Sequence, residues 1–409
     1  MLWMMEVLNA KQEEAVRTIE GPILVVAGAG SGKTKVLVHR VAHLIEHGVP
    51  PQAILAVTFT NKAAREMKER VAALLRNAEF RNSKFEIRNS TPWVGTFHAL
   101  GVHILRAHGS RIGIPRSFTI LDEDDTLSLV KRLAKERRVD PKEYPHARTR
   151  SIISALKTQA VEAEESIEDI LTDYPRVIQN IYHAYEEELK RAHALDFDDL
   201  LIKPVLLFRT HPDVLAHYNK RWNFILVDEY QDTNRIQYLF TQLLARESGN
   251  LMVVGDVDQS IYSWRGADYK NILSFEHDWP GARVITLEQN YRSTQTILAA
   301  ANAIIEKNLE RKEKKLWTKR ADTLPLVMHV ARDEREEAAF VVKNICKRAP
   351  SLALSEIAVL YRTNAQSRAL EEALLAARIP YRLIGGVRFY ERREIKDVLA
   401  YMRLAANGE

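Results

Sequence analysis

The segment from Ile23 to Thr34, ILVVAGAGSGKT, constrains the fold of this chain more than any other stretch. Ile23 to Val26 is a β-branched apolar run ending in small residues. A helical pattern follows it, with Leu37, Val41, Leu44 and Ile45 on one face. A glycine-rich turn between a strand and a helix presents successive backbone N–H groups as a nest for phosphates, reinforced by the helix N-terminus. Here the nest would comprise Ala27, Gly28, Ala29, Gly30, Ser31 and Gly32. Lys33 would reach the β- and γ-phosphates of a nucleotide, and the Thr34 hydroxyl would bind Mg²⁺. The strict pattern has glycine where Ala27 stands, but the strand–loop–helix context outweighs that departure.

The alternation of strand and helix continues. Ile54 to Phe59 is a second apolar strand, followed by a helical pattern from Lys62 to Leu75, which argues for a parallel α/β sheet. From about Ala107 the pattern changes. Leu127, Val130, Leu133 and Ala134 share one helical face, as do Ile178, Ile181, Tyr182, Tyr185 and Leu189. No strand interrupts residues 122–194, so this region reads as a helical insertion. Strands return with Phe224 to Val227, Leu251 to Val254 and Val284 to Leu287. A further α/β stretch contains Leu326 to Val330 and Ile357 to Leu360. The polar segment Asn77 to Pro92 reads as a loop. A chain of 409 residues has room for two to four domains.

Other residues supply what a phosphate loop lacks. FILVDE, residues 224–229, is an apolar strand ending in two acids. Asp228 would hold Mg²⁺, and Glu229 would polarise the attacking water. Neighbouring acids after a strand are also common at helix starts, so the pair gains its meaning from the phosphate loop. Gln12, in LNAKQEEAV, precedes the first strand and could read an adenine edge. Tyr291 and Arg292, in LEQNYRS, follow another strand. The ring could stack on adenine while the guanidinium neutralises γ-phosphate charge.

Between Gly255 and Asp268 the chain reads GDVDQSIYSWRGAD. A strand runs into a turn carrying the Gln259 amide, which could sense a phosphate. Tyr262, Trp264 and Arg265 follow, a set suited to stacking on nucleic-acid bases. The same pattern fits a surface loop with a buried tryptophan. His98 has no Cys/His spacing around it that would make a zinc site. The acids of LDFDDLL and LDEDDT read as helix-start acids and solvated faces.

Composition narrows the classes. Hydrophobic residues make up 46% and charged residues 28%, as in a soluble globular protein with sizeable cores. The net charge of +5 leans mildly towards polyanions. Cys346, the one cysteine, excludes an intrachain disulfide and fits a reducing, cytoplasmic location. The start, MLWMMEVL, is too short for a signal peptide, and no run has the length of a membrane span.

Taken together, LNAKQEEAV, AGAGSGKT, AVTFTNKAAREMKER, VGTFHALGVHIL, LDFDDLL, VDEYQDTN, VVGDVDQSIYSWRGAD and LEQNYRS resemble the UvrD/PcrA/Rep family of superfamily 1 DNA helicases. IAVLYRTNAQSRALEEAL and YRLIGGVRFYERREIKDVLAYMRL look like the family's second lobe. The resemblance implies a RecA-like P-loop NTPase lobe with an all-helical insertion, followed by an incomplete second RecA-like lobe. The corresponding boundaries are 1–107 and 195–280 for the first lobe, 108–194 for its insertion, 281–386 for the second lobe, and 387–409 for the start of a second insertion. It implies ATP and Mg²⁺ as cofactors and 3′ to 5′ translocation on single-stranded DNA and its junctions, in repair or replication. By the same resemblance Gln12 contacts adenine, Lys33 and Thr34 bind phosphate and metal, Asp228 and Glu229 serve metal and water, Gln259 senses the γ-phosphate, Tyr291 packs on the base and Arg292 is an arginine finger. Phe59, Asn61, Thr96, Phe97, His98, Phe197, Tyr262, Trp264 and Arg265 occupy positions that face DNA, with Arg362 and Arg368 in the second lobe.

The family's later motifs, resembling T-x-H-x-x-K-G-L-E and Y-V-A-x-T-R-A, are absent. The expectation is therefore an amino-terminal fragment whose missing part, or a second chain carrying it, would supply another arginine finger. Repair proteins are expected as further partners. Two other readings stay open: a catalytically incompetent nucleotide- and DNA-binding fragment, and a helicase subunit of a helicase–nuclease complex.

Overall fold

A computed structural model of the chain describes residues 8–76, 91–321 and 324–384, together with 398, 401 and 402. Most of the expected loop Asn77 to Pro92, and nearly all of the expected second insertion at 387–409, lie outside the described residues. The chain forms two compact units, Met1–Asp322 and Thr323–Glu409.

The first unit is built on β1 (Ile23–Ala27), β2 (Ile54–Thr58), β3 (Trp93–Thr96), the short β4 (Thr119–Ile120) and β5 (Ala194–Leu195), then β6 (Phe224–Val227), β7 (Leu251–Gly255) and β8 (Arg283–Leu287). Six of these form one sheet in the order β3-β2-β6-β7-β1-β8, with every pairing parallel. β1, β2 and β7 are buried at every residue. That is what a parallel strand requires when crossover helices cover both faces. Successive side chains alternate between two cores. Leu24, Val26, Leu55, Val57, Ile225 and Val227 pack with Phe97, Leu207 and Phe240 on one face. Ile23, Val25, Ile54, Ala56 and Leu226 pack with Leu37, Val41 and Met67 on the other. Because all six strands run the same way, the chain leaves β1, β6, β7 and β8 at one edge, and the loops that carry the candidate residues gather there.

β4 and β5 pair with each other, so the inserted region, expected to be all-helical, carries one short two-stranded ladder at its two ends. Between them lie helices Glu123–Glu136, His146–Ala163, Ile167–Leu171 and Arg176–Arg191. These helices bury their own cluster, including Val130, Leu133, Ile153, Leu156, Ile178, Ile181 and Tyr185, apart from both sheet cores. Asp122 caps the first of them in a reciprocal capping box with Asp125, the helix-start role expected of LDEDDT.

Two placements differ from the sequence reading. The strand at Val284, assigned there to a second lobe, pairs with β1 along its length, Ile23 with Arg283 through Ala27 with Leu287. The compact first unit accordingly extends past 280 to Asp322. A short apolar run shows that a strand is favoured, but its neighbour is chosen by contacts far away in sequence. In the second unit, helices Glu334–Arg348 and Ser367–Ala376 form, but the expected strands at Leu326 to Val330 and Ile357 to Leu360 make no ladder, and Val327, Met328, Val330 and Leu360 are exposed. Strand propensity becomes a strand only where a neighbouring backbone accepts and donates its hydrogen bonds.

Candidate nucleotide and nucleic-acid site

The phosphate loop leaves β1 and enters helix Lys33–Glu46 through Gly32, which sits left-handed at φ 89° with no side-chain cap. Gly30 is also left-handed, at φ 66°, and a Cβ there would lie 2.7 Å from Asn290 Nδ2. A Cβ at Gly32 would lie 2.8 Å from Gln12 Nε2, so both positions need glycine for backbone conformation and for space. The loop is braced from within and from outside. Ser31 Oγ donates to the Gly28 carbonyl at 2.7 Å, and Gln12 Nε2 donates to the Ser31 carbonyl at 2.8 Å. Gln12 is fully buried, and its Oε1 accepts from the Asn9 backbone N–H at 3.0 Å. The sequence pointed this amide at an adenine edge; in the structure both of its ends are engaged within the chain, holding the loop.

Lys33 Nζ lies 2.6 Å from Glu229 Oε2 and donates to Gln259 Oε1 at 3.3 Å. Residues from three loops, separated by 196 and 226 positions, thus converge on one ammonium group. Glu229 adopts φ 49°, uncommon for a residue with a side chain. Gln231 Nε2 donates to Glu229 at 2.8 Å, while Gln231 Oε1 accepts from the Asp256 N–H at 3.0 Å. Asp228 is buried, and its Oδ1 accepts from the Glu229 N–H at 3.0 Å. Burial, reinforced by the Glu229 charge, pushes the Asp228 carboxyl up to about 7. The same two causes push Asp232 up to about 6. Thr34 is half-buried in the first turn of the helix. A buried carboxylate and a hydroxyl are hard oxygen donors, and a divalent cation would offset the burial that raises Asp228. This donor set fits Mg²⁺.

The loop after β8 docks on the phosphate loop. Tyr291 N–H donates to the Gly30 carbonyl at 2.9 Å, and Asn290 Nδ2 donates to the Ala29 carbonyl at 2.5 Å. Tyr291 Oη accepts from Asn9 Nδ2 at 2.8 Å and donates to Gln289 Oε1 at 3.1 Å. The Tyr291 ring is partly exposed and Arg292 is exposed. Sequence reasoning passed over Asn290, though it lies within LEQNYRS. It also passed over Asp256, Asp258, Arg311 and Lys314, which form a buried ionic cluster beside Gln259. The two acids were visible in GDVDQS, but nothing local told that their cations come from more than fifty residues downstream.

Beside this pocket lies a set of aromatic rings. Phe59 stacks on Tyr262 with centroids 5.0 Å apart, and Tyr262 lies 6.3 Å from Trp264. Trp264 is 72% exposed, so the reading of a buried tryptophan fails. His98 meets Phe197 edge-on at 5.8 Å, and burial holds its imidazole below the usual histidine range. Asn61 is exposed at the first position of helix Asn61–Leu75. Thr96 and Phe97, expected to face DNA, turn inward. Thr96 Oγ1 accepts from Ala99 N–H as a helix cap at 3.2 Å, and Phe97 packs in the sheet core 6.4 Å from Phe240. Side-chain direction at the strand-to-helix junction is set by capping and packing, which a motif string does not reveal. The Arg265 side chain lies outside the described residues. Arg362 is exposed in the second unit. No helix among the described residues is long and apolar enough to cross a membrane.

Comparison with known proteins agrees with this geometry. Residues 8–280 match the family model for the UvrD/REP helicase N-terminal domain, and residues 285–409 match the UvrD-like helicase C-terminal domain. The chain is 48% identical over 405 residues to the ATP-dependent DNA helicase PcrA of Leuconostoc citreum, covering 98% of this chain and 53% of that protein. It is 48% identical over 403 residues to PcrA of Staphylococcus epidermidis, covering 98% and 54%. The corresponding protein of Staphylococcus aureus is 47% identical over 403 residues, with the same coverage. The chain spans about half the length of the curated relatives it matches. With a phosphate loop, an acidic strand end and an amide turn meeting at one sheet edge, and both family models matched in order, this chain belongs to the UvrD/Rep helicase family.

Proposed function

We propose that this chain is the nucleotide-hydrolysing part of an ATP-dependent DNA helicase or single-stranded DNA translocase, of 3′ to 5′ polarity, acting in repair or replication. The observation that carries the reading is the convergence of Glu229 and Gln259 on Lys33 Nζ, at 2.6 and 3.3 Å. Lys33 neutralises the β- and γ-phosphates of ATP, and its partners are the groups that would be released to act when phosphate arrives. Glu229 then orients and deprotonates the attacking water, and Gln259 responds to the γ-phosphate. Thr34 and Asp228 would hold Mg²⁺, which supplies charge neutralisation between the phosphates. Gln12 and Tyr291 border the base, and Arg292 stabilises charge developing on the transferred group. Phe59, Phe197, Tyr262 and Trp264, with His98, Asn61, Arg265 and Arg362, form the track for single-stranded DNA and its junctions, because stacking tolerates any base sequence.

Within this reading residues 1–107 and 195–280 are the first RecA-like lobe, extended by β8. Residues 108–194 are its helical insertion, and the second lobe follows. Lys33→Ala should abolish DNA-stimulated ATP hydrolysis while leaving the circular dichroism spectrum unchanged. Turnover equal to wild type would overturn the proposal.

A further inference from the structure

The segment from Arg311 to Arg320 runs back across the pocket and touches three of its loops. Leu316 lies against Gly28 so closely that a Cβ there would come within 2.2 Å of it. Trp317 N–H donates to the Glu288 carbonyl at 3.1 Å, its own carbonyl accepts from Asn290 N–H at 2.8 Å, and Arg320 Nη1 donates to the Arg292 carbonyl at 2.7 Å. The third contact is ionic. Lys314 Nζ bonds both Asp256 Oδ1 and Asp258 Oδ2, and Arg311 reaches Asp258 at 3.1 Å. The Lys314, Asp256 and Asp258 side chains are 4%, 2% and 7% exposed, so the cluster is shielded from water.

Asp256 is also what holds Gln259. Its Oδ2 accepts from Gln259 Nε2 at 2.5 Å, which turns the amide oxygen towards Lys33 Nζ at 3.3 Å. An amide has one donor end and one acceptor end, so tying Nε2 to a carboxylate decides which end faces the lysine. That tie is only as firm as the carboxylate's own placement, and a carboxylate this buried is costly to leave without a cation beside it. Lys314 is that cation.

From this geometry we infer that Lys314 is a positioning residue for ATP hydrolysis, acting through Asp256 to set the orientation of Gln259. The inference rests on the proposed ATPase reading and goes beyond it. Lys314 does not reach the phosphate loop lysine, so ATP binding does not depend on it. The hydrolytic step does, because Gln259 answers the γ-phosphate only when its amide is held. The segment from Arg311 to Arg320 then links the state of the sensor turn to the phosphate loop and to the Tyr291–Arg292 loop in one piece of chain.

The test is to measure ATP affinity by equilibrium titration and DNA-stimulated turnover separately in the full chain. Lys314→Met should lower kcat by about tenfold or more while ATP affinity moves less than about threefold. Lys314→Arg, which keeps the cation, should recover most of the turnover. Should Lys314→Met fail to fold, the charge-balanced Asp258→Asn/Lys314→Met chain reads the same two quantities and should show the same split, kcat falling with ATP affinity kept. Unchanged kcat in an active background, or kcat and affinity falling together without rescue by arginine, would overturn the role of Lys314 alone. A wild-type chain that neither binds nor hydrolyses ATP would overturn the ATPase reading first.

Discussion

Lys33 and Lys157 both reach carboxylates at ion-pair distance, 2.6 Å to Glu229 for the first and 2.7, 2.9 and 3.2 Å to Glu186, Asp196 and Asp199 for the second. Their surroundings differ. Lys33 and its partner are 10% and 34% exposed; Lys157, Asp196 and Asp199 are 3%, 8% and 2% exposed, and only Glu186, at 30%, reaches solvent. Lys157 lies at the root of the helical insertion and ties it to the turn before helix Asp199–Thr210, where Asp196 also accepts from Tyr185 Oη at 2.9 Å. Burial opposes the charge on Lys157, but Asp199, Glu186 and Asp196 outweigh it and hold the ammonium well above the usual lysine range. A pair whose carboxylate is partly solvated can exchange partners cheaply when a phosphate arrives. A dehydrated cluster cannot, because each ion removed leaves the others stranded. The same ion types therefore make a poised site in one place and a fixed joint in the other.

The largest expected effect breaks the joint. Lys157→Met leaves Asp196 buried without its cation and Asp199 with only the more distant Lys203, at 3.8 Å, and should destabilise the fold by about 3–5 kcal/mol. Urea denaturation checks this, and a loss of less than about 1 kcal/mol would mean the cluster is an exposed-type pair after all. Lys33→Met should do the reverse, leaving the denaturation midpoint almost unmoved while turnover falls by roughly 10²–10³-fold, the scale seen when one preorganised charge-stabilising donor is lost. If both variants lost stability equally, the distinction between the two regions would collapse.

A third experiment uses pH. Folded Asp228 keeps its proton up to about 7, whereas an unfolded aspartic acid releases it near 3.9. Between those values the folded chain binds more protons, so stability present at low pH is lost as pH rises through 7. Asp228→Asn should therefore stabilise the nucleotide-free chain at pH 8, by on the order of 4 kcal/mol, raising its melting temperature there, and change little near pH 4. Asp199, pushed up to about 6 by burial, tilts the wild type the same way, so the difference between the two chains isolates Asp228. A gap that does not widen with pH would sink the assignment of a buried, protonated Asp228.

The smallest effect concerns the rings. Trp264→Ala should weaken single-stranded DNA binding by about 1–3 kcal/mol with almost no change in stability. Phe97→Ala should instead cost about 3–5 kcal/mol of stability as a core cavity. A DNA-affinity defect confined to Phe97 would reverse the inward placement described above.

Local chemistry was legible wherever one short segment carried it. The phosphate loop needs glycine at Gly30 and Gly32 and a lysine at the helix start, and all of that is written within a few residues. The capping acids of LDEDDT were equally local. The acids of LDFDDLL were not: they read as solvated helix-start acids, but Asp196 and Asp199 are buried against Lys157, some forty residues upstream. The helix-start position was right for Asp199 and the solvation was not.

What the sequence determined by itself was a parallel α/β framework, a phosphate-binding turn and the residue types gathered around it, because strand–loop–helix periodicity and glycine content act over ten or fifteen positions. Tertiary structure alone decided that β8 closes beside β1, that Phe97 faces the core while Trp264 faces solvent, and that Lys314 and Lys157 neutralise acids remote from them in the chain. Each of those outcomes depends on which surfaces exclude water together, and dehydration is a property of the packed molecule rather than of any segment.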